Sequence, residues 1–312
     1  LFLQASCLGQ VPDLWDSVVG QHVEVVRALA QGNASMVFAG LEEELNSLIK
    51  AVRSESNWTL PVMYAVCVEL KNAAVLADAQ ADNDRNENLQ SCGRKLNAAF
   101  SALLDRKPAD QSKKRGAMKI INIMLGVYFR LNNYRLCTPL LRILEGAGYP
   151  PLDDYPLSHV VTYRYYTGRL HLFDARYAEA EADLAFAFNS CPSQYVHNKR
   201  VVLHFLIPAK LMRGKIPSPE LLAKYRVPEY EGLSLAVRTG NLALFNDSFA
   251  KYESLFRRRG LYLLLERLKW LVYRTLFKRT YAIVRGGTGP FGFAVLSALQ
   301  SALRPPTVEV DI

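Results

Sequence analysis

Apolar side chains recur at every third or fourth position through most of the chain, while Pro and Gly gather between those stretches. A period near 3.6 is the mark of helices with one buried face. It predicts helices over 15–31, 34–52, 60–80, 88–104, 116–131, 134–146, 159–173, 176–190, 197–213, 218–225, 229–239, 241–257 and 261–284. Some starts carry their own signal. Pro61 stands just inside one predicted helix, where a missing N–H is harmless, and Pro219 follows Ser218, a side chain able to cap. Gly240 followed by Asn241 reads as a stop and a cap joining two helices. The polar stretches 82–88, 105–116 and 145–158 read as loops, and strand-like alternation is nearly absent before Thr307–Ile312.

A weak repeat runs through the middle of the chain. Tyr134, Cys137, Leu141 and Leu144 recur as Tyr177, Ala180, Leu184 and Ala187, each 43 residues on. In the second copy Gly168, Ala180, Leu184, Ala187 and Pro192 fall at the spacings of a tetratricopeptide-like helix pair. Small residues at 168 and 180 let two antiparallel helices approach closely, and neighbouring pairs must then stack to bury their apolar faces. The expected architecture is a helical solenoid.

Composition narrows the field. Half of the 312 residues are apolar and 21% are charged, so a packed core is available, and collagen, coiled-coil and disulfide-scaffold compositions are excluded. Cys7, Cys67, Cys92, Cys137 and Cys191 are scattered and form no C-x-x-C pair, which reads as reduced, mostly buried thiols of a cytosolic or nuclear protein. The chain starts at Leu1 without the basic opening of a signal peptide, and its true N-terminus is expected to be missing. The longest uncharged run, 286–303, is rich in Gly and polar residues and is not read as a membrane span.

The formal net charge is +9, and it is concentrated. Residues 1–58 carry three basic and seven acidic side chains, whereas residues 251–285 carry ten basic and two acidic ones. Within that segment Arg267, Arg274, Lys278 and Arg285 are spaced 7, 4 and 7 apart. On a straight helix they share a sector of roughly 40°, a stripe about 27 Å long. Arg257, Arg258, Arg259 and Arg279 add to it. Planar guanidinium groups suit phosphate and carboxylate recognition, so the segment is the candidate anion-binding surface; the competing reading is a solvated helix face. Trp270, Tyr273 and Tyr281 interleave the cations at a spacing expected of core residues rather than stacking platforms. Lys113, Lys114, Arg115 and Lys119 read as a smaller, solvated patch.

Catalysis finds little support. His22, His159, His171, His197 and His204 show no metal-ligand spacing with one another or with cysteine. Gly287, Gly289 and Gly292 match a dinucleotide pattern but follow a basic helix rather than a strand, with Pro290 inside, and read as a linker. No catalytic residue, metal or cofactor is expected. An enzyme built from distant residues would need a polar pocket placing His159 or His171 beside a carboxylate.

Residues 236–281 (AVRTGNLALFNDSFAKYESLFRRRGLYLLLERLKWLVYRTLFKRTY) resemble the helical half of a PCI domain, the module shared by the proteasome lid, the COP9 signalosome and a translation initiation factor. The likeness is nearer to the PCI domain-containing protein 2 branch, the PCI subunit of the TREX-2 transcription-coupled mRNA-export complex. Residues 57–70 (NWTLPVMYAVCVEL), 161–191 and 198–225 carry it as well. The resemblance implies an all-α, right-handed superhelical stack of TPR/PCI-like hairpins leading into a C-terminal winged helix. It divides the chain into a helical-repeat region, 1–158, and a PCI domain, 159–312, whose helical part is 159–285.

Only Phe291–Leu303 and Thr307–Ile312 stand where a winged helix would begin, so that element is expected to be truncated within 286–312. The resemblance further implies a non-enzymatic adaptor at the nuclear pore, with the cytoplasm as a second compartment. Its partners would be a GANP-type scaffold, a small acidic subunit shared with the proteasome lid, and RNA or DNA bound without sequence preference. The nucleic-acid role is carried onto Arg257, Arg258, Arg259, Arg267, Arg274, Lys278, Arg279 and Arg285. No membrane partner is expected. The alternative is a protein-interaction subunit of a signalosome-like or lid-like assembly whose basic stripe docks an acidic peptide, with no nucleic-acid role.

Overall fold

The structure is a computed structural model; it describes residues 13–81, 85–104, 112–146 and 148–286. Residues 287–312, where the truncated winged helix is expected, lie outside the described residues, as does Cys7. The described residues are all-α, with no strand among them. The chain divides into two compact units, Leu1–Tyr166 and Thr167–Ile312.

In the first unit α1 (Asp13–Ala30) and α2 (Ala34–Ser54) form a hairpin. Gly32 turns it at φ +70°, and the Asn33 side chain caps α2 by accepting from Met36 N at 3.1 Å. A single 3₁₀ turn, Asn57–Thr59, leads into α3 (Leu60–Gln80), followed by α4 (Glu87–Ala102), α5 (Ala117–Arg130) and α6 (Cys137–Glu145). Each helix packs on the next, and α2 also meets α4 as α3 meets α5, which is the contact pattern of stacked hairpins. Residues 57–80 are apolar and long enough to cross a bilayer, but α3 lies between α2 and α4 with Met63, Cys67, Leu70, Ala74 and Ala77 fully buried.

Side chains tie these layers at their ends. Asp78 on α3 accepts from Asn88 N (3.1 Å) and Leu89 N (3.0 Å), satisfying donors at the start of α4. Lys113 is 1% exposed, and its Nζ donates to the carbonyls of Val52 (2.6 Å) and Arg53 (3.3 Å). A cation at the carbonyl end of α2 adds a donor there, beside the Glu55 N–H that Val52 O also accepts, and complements the helix dipole. The solvated patch expected at 113–119 therefore loses its first member to the interior. Cys67, Cys92, Cys137 and Cys191 are buried. Burial pushes the Cys92 thiol up to about 12 and Cys67 higher still.

The second unit holds the end of α7 (Leu157–Phe173), α8 (Tyr177–Ser190), α9 (Val196–Met212), α10 (Pro219–Tyr225) and α11 (Glu231–Thr239). The close approach expected at Gly168 is present: an added Cβ would lie 2.6 Å from Leu184 Cγ. The 43-residue repeat extends to the backbone. Asn132 (φ +54°) and Ala175 (φ +60°) occupy equivalent left-handed positions, and Asn133 N donates to Tyr128 O as Arg176 N donates to His171 O. Both are six-to-one helix ends.

The last two predicted helices are each broken in two, giving α12 (Leu242–Lys251), α13 (Glu253–Arg258), α14 (Tyr262–Glu266) and α15 (Lys269–Gly286). The first break, at Tyr252 (φ −115°), brings Phe256 under Tyr230 and Phe249, and Phe256 is fully buried. At the second, Leu268 N, Trp270 N and Leu271 N all donate three residues back, so the helix tightens for one turn. Leu261, Leu265, Leu268 and Val272 still face inward across it, each fully buried.

Gly240, at φ +73°, ends α11 against the backbone of α15; an added Cβ would lie 2.7 Å from Leu276 N. Gly240→Ala is expected to lower stability by more than about 2 kcal/mol, combining left-handed strain with a backbone clash. Ala175→Gly should act in the opposite direction, by about 0.5 kcal/mol. Relief of roughly 1–2 kcal/mol there exceeds the roughly 0.5–1 kcal/mol cost of glycine flexibility. Urea midpoints of the two variants check both signs.

Candidate nucleic-acid interface

The candidate surface is built on α13 to α15. α15 is held on one side by Val272 and by its contact with Gly240, and α11 and α12 pack against it. At about 100° per residue, Trp270, Arg274, Phe277, Lys278 and Tyr281 occupy a sector of about 100° on the side away from Val272. All five are exposed: Trp270 by 74%, Phe277 by 55% and Tyr281 by 60%, with Arg274 and Lys278 alongside. Trp270 and Tyr281 are thus not core residues, contrary to their helical spacing, and Phe277 joins them. The signal available in the sequence was the angular opposition of 270, 277 and 281 to Val272.

The eight cations expected to bind nucleic acid differ in their surroundings. Arg258, Arg267, Arg274, Lys278 and Arg279 are exposed and make no ion pair with a described residue. Arg274 and Lys278 share one face. Arg267 lies at the tightened turn, off α15, so the seven-residue spacing no longer sets its direction; Arg279 lies about 100° round from Lys278. Arg257 is paired with Glu253 at 2.6 Å, and its guanidinium stacks 4.3 Å from the Tyr262 ring centre. Donation to Glu253 raises its already high pKa. The Arg285 side chain lies outside the described residues.

Arg259 is turned inward. Its Nη1 donates to Glu229 Oε1 at 2.6 Å, and His204 Nδ1 lies 3.2 Å from the same oxygen. Tyr230, fully buried, donates from its hydroxyl to the His204 carbonyl at 2.8 Å. Burial alone would raise the Glu229 carboxyl, but His204, Arg259 and a backbone N–H outweigh it and hold it down at about 2. This ion pair positions α13 rather than facing a ligand.

Other polar clusters are internal to helix pairs. His171 Nδ1 lies 3.1 Å from Asp183 Oδ2 within the α7–α8 hairpin, and His22 Nδ1 lies 3.1 Å from Glu44 Oε1 between α1 and α2. His159 sits edge-on to Tyr64, and its carbonyl accepts from Asn122. Among the described residues no group of three or more His, Cys, Asp or Glu could hold a metal ion.

The arrangement of α15 pairs cations for phosphate oxygens with exposed rings on which bases can stack, two parts of a surface for single strands. Exposed rings beside arginine also suit a protein partner. Arg259→Ala is expected to destabilise the chain by about 3 kcal/mol, because it strands a buried carboxylate, whereas Arg274→Ala with Lys278→Ala stays within about 0.5 kcal/mol. Urea titration separates the two. The depressed Glu229 carboxyl contributes stability at neutral pH that is lost as pH falls from about 4.5 toward about 2. Glu229→Gln should flatten the acid limb of a stability–pH curve over that window.

No family model matches the chain. Curated relatives do. Over 306 residues it is 32% identical to the PCI domain-containing protein 2 homolog of Dictyostelium discoideum, covering 94% of this chain and 70% of that protein. Over 305 residues it is 33% identical to PCI domain-containing protein 2 of Danio rerio, covering 95% and 75%. A further relative is the protein CSN12 homolog of Mycosarcoma maydis, 31% identical over 293 residues, covering 87% and 59%.

Proposed function

Because the chain belongs to the family of PCI domain-containing protein 2, we propose that it is a non-enzymatic scaffold subunit of a nuclear, transcription-coupled mRNA-export complex of the TREX-2 type. In this reading it pairs with a GANP-type scaffold and a small acidic subunit, and the outward face of α15 touches RNA or DNA. The observation that carries the nucleic-acid part is the alternation on that face of exposed rings (Trp270, Phe277) with cations (Arg274, Lys278) that no described carboxylate neutralises. Cations of this kind release counterions when they meet phosphates, and rings add stacking that salt leaves untouched.

A second reading rests on the same rings. Exposed rings beside arginine also suit a protein interface, and the chain would then be a protein-interaction subunit of a signalosome-like or lid-like assembly with no nucleic-acid role. Copurification decides between them: export factors support the first reading, and signalosome or lid subunits without export factors support the second.

Fluorescence anisotropy with a single-stranded RNA, run across a salt series, tests the surface directly. Arg274→Glu with Lys278→Glu should weaken binding by tenfold or more and reduce the salt slope by about 1.4. Trp270→Ala should weaken binding by about 1–3 kcal/mol and leave the slope unchanged. Unaltered affinity in both folded variants would refute the role.

A further inference from the structure

A second cationic surface lies in the first unit. An open cleft of about 640 Å³ separates one face of α4 from the end of α5 and the turn leading to α6. Its α4 wall is Gln90, Gly93, Arg94 and Asn97, spaced to share one helix face; opposite stand Tyr128, Arg130 and the turn at Asn132 and Asn133. Three arginines and five carboxamide side chains line it, and no carboxylate does. We propose that this cleft is a docking site for an acidic peptide segment of a partner protein.

Four observations carry this. First, Arg94 and Arg130 are exposed and make no ion pair with a described residue. Of the neighbouring carboxylates, Glu42 accepts from Ser91 at 2.6 Å and Asp78 from the start of α4, and neither is ion-paired with Arg94 or Arg130. Second, the positive charge continues behind the wall. Lys71 on α3, near Gly126, is held below the usual lysine range by burial first and then by the Arg130 and Lys119 charges, apart from an opposing influence of Cys92. Lys71, Lys119 and Arg130 are close enough to feel one another's charge, and together they add positive potential on this side of the cleft.

Third, the remaining polar groups match a polypeptide. A carboxamide offers donors and an acceptor together, as a peptide unit does, so Gln90, Asn97 and Asn133 can hold an extended main chain while the guanidiniums take its carboxylates as forks. The turn that presents them is fixed: Asn133 N donates to Tyr128 O at 2.9 Å, and Tyr134 Oη donates to Asn132 Oδ1 at 3.1 Å. Leu136, 45% exposed at the margin, offers an apolar contact. Fourth, the cleft lacks a stacking platform. Its one aromatic residue, Tyr128, packs its ring on Gly93, where an added Cβ would lie 3.3 Å from Tyr128 Cε1. That favours peptide over nucleic acid.

Anisotropy titrations of the full chain with fluorescein-labelled hexaglutamate, hexaglutamine and oligothymidine test the proposal at low salt. Arg94→Ala with Arg130→Ala should weaken hexaglutamate binding about tenfold or more, while Arg142→Ala with Arg238→Ala, an equal charge loss elsewhere, leaves it within about twofold. Circular dichroism melts confirm that both variants are folded. Equal losses in the two pairs would reduce the effect to net charge and overturn the site, as would hexaglutamine binding as well as hexaglutamate. Loss of oligothymidine rather than hexaglutamate in the Arg94/Arg130 pair would reassign the cleft to nucleic acid. Failure of the α15 surface is scored separately, because its variants retain the cleft.

Discussion

One side of α15 is closed, and that closure decides what the other side presents. Leu268 and Val272 are sealed beneath the helix, and the missing side chain at Gly240 lets the end of α11 touch its backbone. A helix pinned so tightly along one edge has no freedom to roll. Trp270, Phe277 and Tyr281 must then stand in solvent, where three large rings would otherwise be driven inward by the hydrophobic effect. The exposed aromatic strip is a consequence of packing on the opposite edge rather than of local polarity.

The same region shows how neighbours in sequence acquire different work. Arg257, Arg258 and Arg259 are consecutive, yet one is bound to Glu253 on its own helix, one faces water, and one reaches Glu229 thirty residues away. A run of arginines counts as a single block of charge only until the helix assigns each a direction. Lys113 makes the point from the first unit, where a lysine in a basic run serves as the terminus of α2. A count of the basic residues in 251–285 therefore overstates how many of them face a ligand.

Most of the helical layout was legible in the sequence because burial imposes a period, and the period survives in the pattern of Leu, Ala and Val. The turn chemistry at Gly240–Asn241 and Ser218–Pro219 was legible for the same local reasons. The 43-residue repeat was visible in side chains, and the paired left-handed residues at 132 and 175 give it a backbone counterpart. What escaped was non-local. Nothing near Tyr252 announces a break, since the bend is set by where Phe256 finds Tyr230. The straight-helix stripe from Arg267 to Arg285 failed at its first member because one tightened turn shifts the phase. The partners of Arg259 and Lys113, and the cleft between α4 and α5, depend on contacts that no window along the chain contains.

The four interior thiols give the protein a built-in clock. Cys67, Cys92, Cys137 and Cys191 are shielded from solvent, and burial keeps Cys67 and Cys92 in the unreactive protonated form. An alkylating reagent can reach them only when helices part. The order in which they are labelled thus records which layers separate first, without any engineered probe.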